Sequence, residues 1–577
     1  MPDSPPARPW LASYDPLVPP DPAIEAVPVF EYLDRSARDF PEREALRFQN
    51  LRLTYAALQD RAEQAAAALR RLGVGPGDRV ALMLPNLPQT MLAYWAVLKA
   101  GAVAVMVNPL YMETELVHQL GDAGCSTMVV LDHLWPKVAA LRERLPVRRY
   151  IVTGVADGLR FPLGLLFRLK LWRAGQLVSV PYDKGTVLRW GALFQGRERL
   201  SHTLADPRED LALLQYTGGT TGIAKGVMIT HANLSANVQQ CATQLHAFGR
   251  GTESFLSVLP FFHVYGLTVC LNLPAALAAT VYPIPRYVPG DLLRAIHKLR
   301  PTIFPGAPAV FGSLLAQKDL AAYDLRSVRY LVSGSAPLPL EVQRRFHELT
   351  GAEIIEGYGL TEASPVTHFN PLNGVRKPGS IGLPLPATDA RIADLATGEE
   401  VLPPGQEGEL CIKGPQVMRG YWKRPEDTAA TLRHGWLYTG DVAVMDEQGY
   451  FTIVDRKKDL VIIGGYNVYP REIEEVLYAH PKVRDAAAVG LPHPSRGEII
   501  KAYVVPKEGE TVQRSEIVAW CRQKLANYKV PRDVEIRDEL PKTLVGKVLR
   551  RALREQEANR PAAAEADAVM PGGEALQ

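Results

Sequence analysis

Residues Tyr216–Val227 read YTGGTTGIAKGV. Gly218, Gly219 and Gly222 let backbone amides approach oxygen anions. Thr217, Thr220 and Thr221 add hydroxyl donors, and Lys225 adds positive charge. That is phosphate-cradling chemistry. A Walker A loop is excluded, because Ala224 and Gly226 flank Lys225 where that motif needs Gly before the lysine and Ser or Thr after it. A common Gly/Thr-rich turn has the same composition, so this segment alone leaves both readings open. A second segment, Ile354–Pro365 (IIEGYGLTEASP), sets Glu362 among small and hydroxyl residues, a setting suited to a hard cation such as Mg²⁺ carried by a nucleotide. Tyr358 offers a ring for a purine. A turn with Thr361 as a helix cap would read the same way. The third, Val454–Glu474 (VDRKKDLVIIGGYNVYPREIE), puts a charged cluster before an apolar run and a double glycine. The fourth, Leu540–Arg551 (LPKTLVGKVLRR), carries Lys547 after Gly546. No Ser-His-Asp or Cys-His set stands out.

These segments need a scaffold, and the pattern supplies one. Tyr55–Leu72 is Ala-rich at helical spacing with Gly73 behind it. Arg79–Leu84 reads as a strand, Gln89–Ala100 as a helix and Val103–Val107 as the next strand. Strand, helix, strand at this spacing predicts a parallel sheet with crossover helices. The pattern returns at Phe255–Leu259, Thr302–Phe304, Tyr330–Val332 and Glu353–Ile355, so the first two motifs fall at strand ends, where open α/β sheets bind ligands. After Pro378 short runs between turn residues predict a small barrel or sheet. From Asp455 the order helix, strand, strand, helix, strand predicts a separate α+β domain of about 100 residues. The expected division is an extended surface segment at 1–28, a large α/β domain at 29–455, a smaller domain at 456–555 and a disordered tail at 556–577.

The chain has 577 residues, with 65 Lys+Arg against 62 Asp+Glu, and this near balance gives no electrostatic case for nucleic acid binding. Five scattered cysteines without a CxxC exclude a disulfide framework and fit small buried side chains in a reducing, cytoplasmic compartment. Phe255–Pro285 holds no Asp, Glu, Lys or Arg, but Pro260, His263, Asn272, Pro274 and Pro283 interrupt it, so a buried strand, loop and helix are expected rather than a membrane span. Phe161–Trp172 (FPLGLLFRLKLW) is apolar with Arg168, Lys170 and Arg173 at or just past its end. An insertion packed on the body is the preferred reading, and a membrane-touching element is the other.

In this order and spacing the four segments resemble the adenylate-forming superfamily of acyl-CoA synthetases, luciferases and peptide-synthetase adenylation domains. LPFFHVYG (Leu259–Gly266), SGSAPLP (Ser333–Pro339), GPQVMRGYWKRPE (Gly414–Glu426) and YTGD (Tyr438–Asp441) extend the resemblance over residues 28–555. The wording VDRKKD, GYNVYPREIEEVL and LPKTLVGK is most similar to bacterial long-chain fatty acid–CoA ligases. The resemblance implies an α/β large domain of two α/β subdomains plus a small β-barrel, with a smaller, mobile α+β C-terminal domain. It implies fatty acid, ATP and CoA as substrates and Mg²⁺ as cofactor, with acyl-AMP formed first and passed to the CoA thiol. Thr217–Lys225 would hold the β- and γ-phosphates, and Thr217 and Glu362 the Mg²⁺. Glu356, Gly357, Tyr358, Gly359 and Thr361, with Ser335, Ala336 and Pro337, would frame adenine and the α-phosphate. Asp441 would bind the ribose, Arg456 nucleotide oxygens, and Lys547 both the acyl carboxylate and the α-phosphate. His263, with Val264 beside it, would border the acyl site, and Lys458 falls at the hinge. Some long-chain relatives carry a tryptophan gate where this chain has Leu267, which leaves chain length open. An aryl-CoA ligase and an adenylation enzyme loading a carrier protein stay as alternatives. Peripheral membrane contact and a homodimer are also left open.

Overall fold

The computed structural model of the chain describes residues 8–183, 185–203, 205–217, 224–336, 338–463, 466–493, 497–542 and 548–559. The expectations for Gly218, Gly219, Thr220, Thr221, Gly222, Pro337 and Lys547, and for the tail beyond residue 559, lie outside these residues.

The chain forms two units. The first comprises Met1–Arg391, Cys411–Thr439 and Glu447–Phe451, and the second Ile392–Leu410, Gly440–Asp446 and Thr452–Gln577. In the first unit, a nine-stranded sheet orders its strands as Leu383–Pro384, Val366–Phe369, Glu353–Gly359, Tyr330–Ser333, Ile303–Gly306, Ser254–Ser257, Thr280–Pro283, Glu44–Phe48 and Leu51–Thr54. An eight-stranded sheet runs Gly420–Tyr421, Lys225–Thr230, Leu211–Thr217, Val103–Met106, Arg79–Met83, Thr127–Leu131, Arg149–Thr153 and Val187–Arg189. The interior strands pair in parallel, and antiparallel strands close every end but one, where Val187–Arg189 pairs parallel with Arg149–Thr153.

Alternation along the strands explains the layers, since successive side chains point to opposite faces. Leu82 and Phe255 join one core cluster, which also holds Leu46, Ile303 and Leu213 and so fills the space between the two sheets. The helices Tyr55–Arg71, Pro88–Lys99 and His231–Gln244 bury their apolar residues in that same core. Ala81 and Met83 turn to the opposite face and pack with Leu116, Leu120 and Val138 of outer helices. Leu256 and Phe304 do the same on the other sheet, against Leu292, Phe311 and Phe346. The first unit is therefore helices, sheet, helices, sheet, helices. The first inner helix shows how sequence sets an element. Thr54 caps it by accepting from Ala57 N at 3.2 Å, small alanines let it approach its neighbours, and Leu72 and Gly73 end it.

The strands Asp389–Ala393, Glu407–Lys413, Leu432–Arg433, Trp436–Met445 and Phe451–Arg456 form the small sheet expected after Pro378. In the second unit, Val461–Ile463, Tyr466–Val468, Val483–His493, Gly497–Pro506 and Asp533–Ile536 form one sheet. Ala486 and Ala488 face Ile473 and Ile517 on the helices Pro470–Tyr478 and Arg514–Arg522. Ala487 and Val489 face Leu553 on the helix Arg550–Ala558.

The structure corrects three expectations. Residues 8–28 do not lie wholly on the surface: Trp10 lies in a short 3₁₀ helix, buried, edge-on to Phe451, and its backbone occupies the space a Cβ at Gly449 would need. The tail does not begin at 556, because the last helix runs to Ala558 and Glu557 accepts from Lys501 Nζ and Tyr503 Oη, both at 2.9 Å. The insertion at 161–172 is a helix, Leu163–Arg173, that packs on the body along one side only: Gly164 is its one buried residue, and the rest of its surface is largely open. Phe255–Pro285 forms a buried strand, a helix with a π segment at Thr268–Asn272, and a second buried strand. No helix among the described residues is long and apolar enough to cross a membrane. The five cysteines are free and buried.

Candidate functional site

In the first unit the phosphate-loop motif is a hairpin. Its strand Leu211–Thr217 is buried along its middle by the run Ala212–Tyr216, and Thr217 pairs across to Lys225 at the head of the next strand. The short strand Gly420–Tyr421 adds antiparallel to the same edge, with Tyr421 opposite Val227. This register brings Lys225 Nζ over the Tyr421 ring at 5.2 Å and into an ion pair with Asp427. The Tyr421 hydroxyl donates to Glu362 Oε1 at 2.8 Å. Burial, and then the adjacent Glu362 carboxylate, push the Tyr421 phenol well above its usual range, so it stays a donor at neutral pH. Met418 N–H holds the Glu362 carbonyl at 2.8 Å, which fixes the 3₁₀ turn Thr361–Ala363 against this strand. Lys225 and Glu362, 137 residues apart in sequence, are thus linked through one tyrosine.

The adenine-side residues sit on the strand Glu353–Gly359, where Gly357 pairs with Phe369 and Tyr358 with His368. A Cβ at Gly357 would lie 2.5 Å from the Phe369 ring, and one at Gly359 2.0 Å from the Pro365 carbonyl oxygen, so both positions require glycine. Tyr358 stays partly exposed with its ring edge toward His368, 6.0 Å between centroids. Glu356 Oε1 accepts from Leu338 N–H at 3.2 Å and so ties the Ser335–Ala336 loop to this strand. Ser335 has φ +74°, a conformation that costs a non-glycine residue about 1 kcal/mol or more, and its side chain is exposed.

His263 caps the helix Val264–Leu267, its Nδ1 accepting from Tyr265 N–H at 3.3 Å. Burial lowers the imidazole to about 4, so it is neutral at pH 7. The loop before it is fastened twice: Asn86 Oδ1 accepts from Phe261 N–H at 2.8 Å, and Gln215 Nε2 donates to the Phe262 carbonyl at 3.0 Å. Gln215 lies two residues before Thr217, which places the histidine loop beside the hairpin base. Val264 and Leu267 are buried in the core.

In the second unit Asp441 is buried on the strand Trp436–Met445, and Arg456 Nε stands 3.2 Å from its Oδ1. Lys457 pairs with Glu409 at 2.8 Å. Lys458 is exposed at the apex of the turn that follows, and the aspartates on both sides are anchored. Asp455 accepts from Arg550 at 2.8 Å and Asp459 from Arg550 at 3.1 Å and Arg554 at 2.6 Å.

The structure therefore unites Thr217, Lys225, Glu362, the Glu356–Tyr358 strand and the His263 loop in one unit. Asp441, Arg456 and Lys458 come together in the other. Sequence reasoning assigned no role to Tyr421, Asp427, Asn86 or Gln215. Tyr421 lay inside the quoted segment Gly414–Glu426, and that was its one available signal.

A mixed sheet with this hairpin near one edge, its lysine over a tyrosine ring and a carboxylate hydrogen-bonded to that tyrosine, fits a nucleotide-handling enzyme. Its residues 33–422 match the model of the AMP-binding enzyme family and residues 472–547 that of the AMP-binding enzyme C-terminal domain, and the chain belongs to this family. It is 46% identical over 553 residues to a long-chain-fatty-acid–CoA ligase of Bacillus subtilis (strain 168), covering 95% of this chain and 98% of that one. It is 41% identical over 556 residues to the enzyme of that name from Escherichia coli O6:H1, with the same coverage. Among solved structures, ATP-bound MatB from Rhodopseudomonas palustris superposes with a TM-score of 0.80 at 31% identity, over 92% of this chain and 99% of that one.

Proposed function

We propose that this chain is an ATP-dependent, AMP-forming fatty acid–CoA ligase acting on long-chain acids. The observation that carries the reading is the Lys225–Tyr421–Glu362 arrangement at the base of the hairpin, in a chain whose full-length relatives bear that activity in their names. A carboxylate resists thiol attack because oxide is a poor leaving group. In the first half-reaction a carboxylate oxygen attacks the α-phosphorus of ATP, the bond to the bridging oxygen breaks, and pyrophosphate leaves. In the second, the CoA sulfur attacks the acyl carbon and AMP departs with the anhydride oxygen. Neither step needs a side-chain nucleophile; the protein positions reactants and offsets charge.

The residue roles are our assignment. Lys225, with Thr217 and the loop Gly218–Gly222, receives the β- and γ-phosphates. Tyr358, Gly357, Gly359, Thr361 and Glu356, with Ser335, Ala336 and Pro337, frame adenine and the α-phosphate. Val264 lines the nucleotide side of the His263 loop. Neutral His263 borders the acyl group without adding a charge to it. Asp441 accepts from the ribose hydroxyls, Arg456 meets nucleotide oxygens, and Lys458 marks the pivot of the smaller domain. Lys547 bridges the acyl carboxylate and α-phosphate.

The Glu362 carboxylate and the Thr217 hydroxyl fit Mg²⁺, which takes oxygen ligands, and no group of three or more His, Cys, Asp or Glu among the described residues forms a metal cage. A cation arriving on nucleotide phosphates needs only that partial set, and when bound it supplies neutralisation of phosphate charge. Five buried, unpaired thiols accord with a cytoplasmic location, and we add peripheral contact with a membrane as the source of water-insoluble acids. The test is a pyrophosphate-release screen of acids of graded length and aromaticity, with and without CoA. Turnover confined to aryl acids, or acyl-AMP that CoA does not consume, would overturn the assignment.

A further inference from the structure

We propose that the helix Leu163–Arg173 and its flanks seat the protein on an anionic lipid surface. The inference rests on the peripheral contact proposed above and gives it a place and a lipid charge. Phe161, Leu165, Leu166, Leu169, Trp172 and Leu177 are all exposed, Phe161 at 84%, Trp172 at 65% and Leu165 at 61% of their free surface. Leaving that much apolar surface in water is unfavourable, and contiguous exposed apolar patches mark interaction sites.

Helical geometry sorts the side chains. Gly164 is buried, and Arg168 reaches back to Asp157 at 2.5 Å, so these two define the face held by the body. At about 100° per residue, Leu166, Leu169 and Arg173 point away from that face, with Leu165 and Trp172 on one shoulder and Lys170 on the other. The outer surface is thus leucine and tryptophan with a basic end. No Asp or Glu occurs from residue 158 to 182, whereas Arg160, Lys170 and Arg173 are all exposed.

That charge selects the occupant. An apolar face with Trp and basic residues suits the headgroup boundary, where tryptophan sits well and cations meet acidic headgroups. Eleven residues of helix span about 16 Å, too short to cross the hydrocarbon core, so the element lies on the surface. A second copy meeting this face about a two-fold axis would set like charges against one another, which disfavours self-association here.

The experiment is vesicle co-sedimentation of the full chain with phosphatidylcholine alone and with phosphatidylcholine–phosphatidylglycerol mixtures. Two variants are compared with the wild type: Leu165→Ser/Leu169→Ser/Trp172→Ser, and Lys170→Glu/Arg173→Glu. Melting temperature and turnover of a short, water-soluble acid serve as folding controls, since the helix packs against the turn Val155–Gly158, away from the described site residues. The wild type should bind the anionic vesicles, and each variant should bind at least about tenfold more weakly with unchanged melting and turnover. If the wild type binds no vesicle, peripheral contact itself is wrong. If it binds and both variants bind equally well, contact exists but this helix is not its site. A wild-type dimer that the apolar variant dissociates, without vesicle binding, would assign the face to a second copy and overturn the proposal.

Discussion

The Tyr421 hydroxyl donates a 2.8 Å hydrogen bond to Glu362 Oε1. Two segments 59 residues apart meet there, and the bond fixes the orientation of the carboxylate assigned to the nucleotide's cation. The same ring carries Lys225 above its face. One side chain therefore positions both the carboxylate proposed for the cation and the ammonium proposed for the phosphates.

Replacing the hydroxyl alone separates these functions. Tyr421→Phe keeps the ring under Lys225 and removes the bond to Glu362. A hydrogen bond to a charged group is worth about 1.5–3 kcal/mol. We expect the Mg²⁺ concentration for half-maximal acyl-AMP formation to rise roughly tenfold, while the KM for the fatty acid holds. A titration of initial rate against Mg²⁺ at fixed ATP decides it, and an unchanged curve would make the contact structural.

Lys225 is not waiting free for phosphate; Asp427 holds it in an ion pair. Both side chains are more than one-third exposed, so the pair contributes little stability, about 0–1 kcal/mol. It must nevertheless open before the ammonium serves a nucleotide. Asp427→Asn should therefore lower the KM for ATP about two- to fivefold without loss of melting temperature. A raised KM would show that Asp427 orients the lysine rather than competing for it.

The hairpin and the Glu353–Gly359 strand were legible in sequence because each motif follows an apolar run, and strand ends carry the ligands of such sheets. Tyr421 and Asp427 were not. Their proximity to Lys225 exists only because Gly420–Tyr421 pairs with Lys225–Thr230, a register separated by nearly 200 residues that no local spacing encodes. Trp10 was missed for a related reason: a Pro- and Asp-rich stretch reads as surface, and one turn glycine far along the chain makes its burial site. The helix Leu163–Arg173 shows the converse. Its hydrophobicity read as burial, and composition does not say which apolar segments find a partner.

Acid should weaken the second unit at Glu535. Burial would raise the Glu535 carboxyl, but Lys501 and Arg537 outweigh it and hold it at about 2. Its unfolded value is near 4.3, so the folded form is the stronger acid. The contribution is present above about pH 4.3 and is lost as pH falls toward 2. Because the group is partly solvent-screened, we assign it about 1 kcal/mol. Glu535→Gln should melt lower at pH 7 and lose less stability on acidification than the wild type. Parallel thermal melts between pH 6 and 3 measure both, and identical slopes would remove Glu535 from the account.

A cluster of charged side chains surrounds Lys458. Arg550, its side chain 16% exposed, donates to Asp455, Asp459 and Glu474, at 2.8, 3.1 and 2.7 Å. Burial alone would disfavour its charge, and Glu474, Asp455 and Asp459 more than restore it. Asp455 keeps backbone donors from Arg456 and Arg471, and Asp459 keeps Arg554. Among the described residues Glu474 keeps the Ala488 amide besides Arg550, and burial already raises its carboxyl above the usual range. Arg550→Met should therefore destabilise the second unit by about 3–5 kcal/mol, the cost of stranding buried charge. Adding Glu474→Gln should recover part of that loss, because its amide oxygen still accepts from Ala488 and no charge is left behind. Since Asp455 and Asp459 bracket Lys458, proposed above as the pivot, the single variant should also disturb thioester formation. Single-turnover assays would show acyl-AMP decay on CoA addition slowed more than acyl-AMP formation, with the double variant intermediate. If the double variant regains stability but thioester formation is no better, the cluster braces the fold and leaves the pivot alone. If it regains neither, the charge argument is wrong and Arg550 acts through packing.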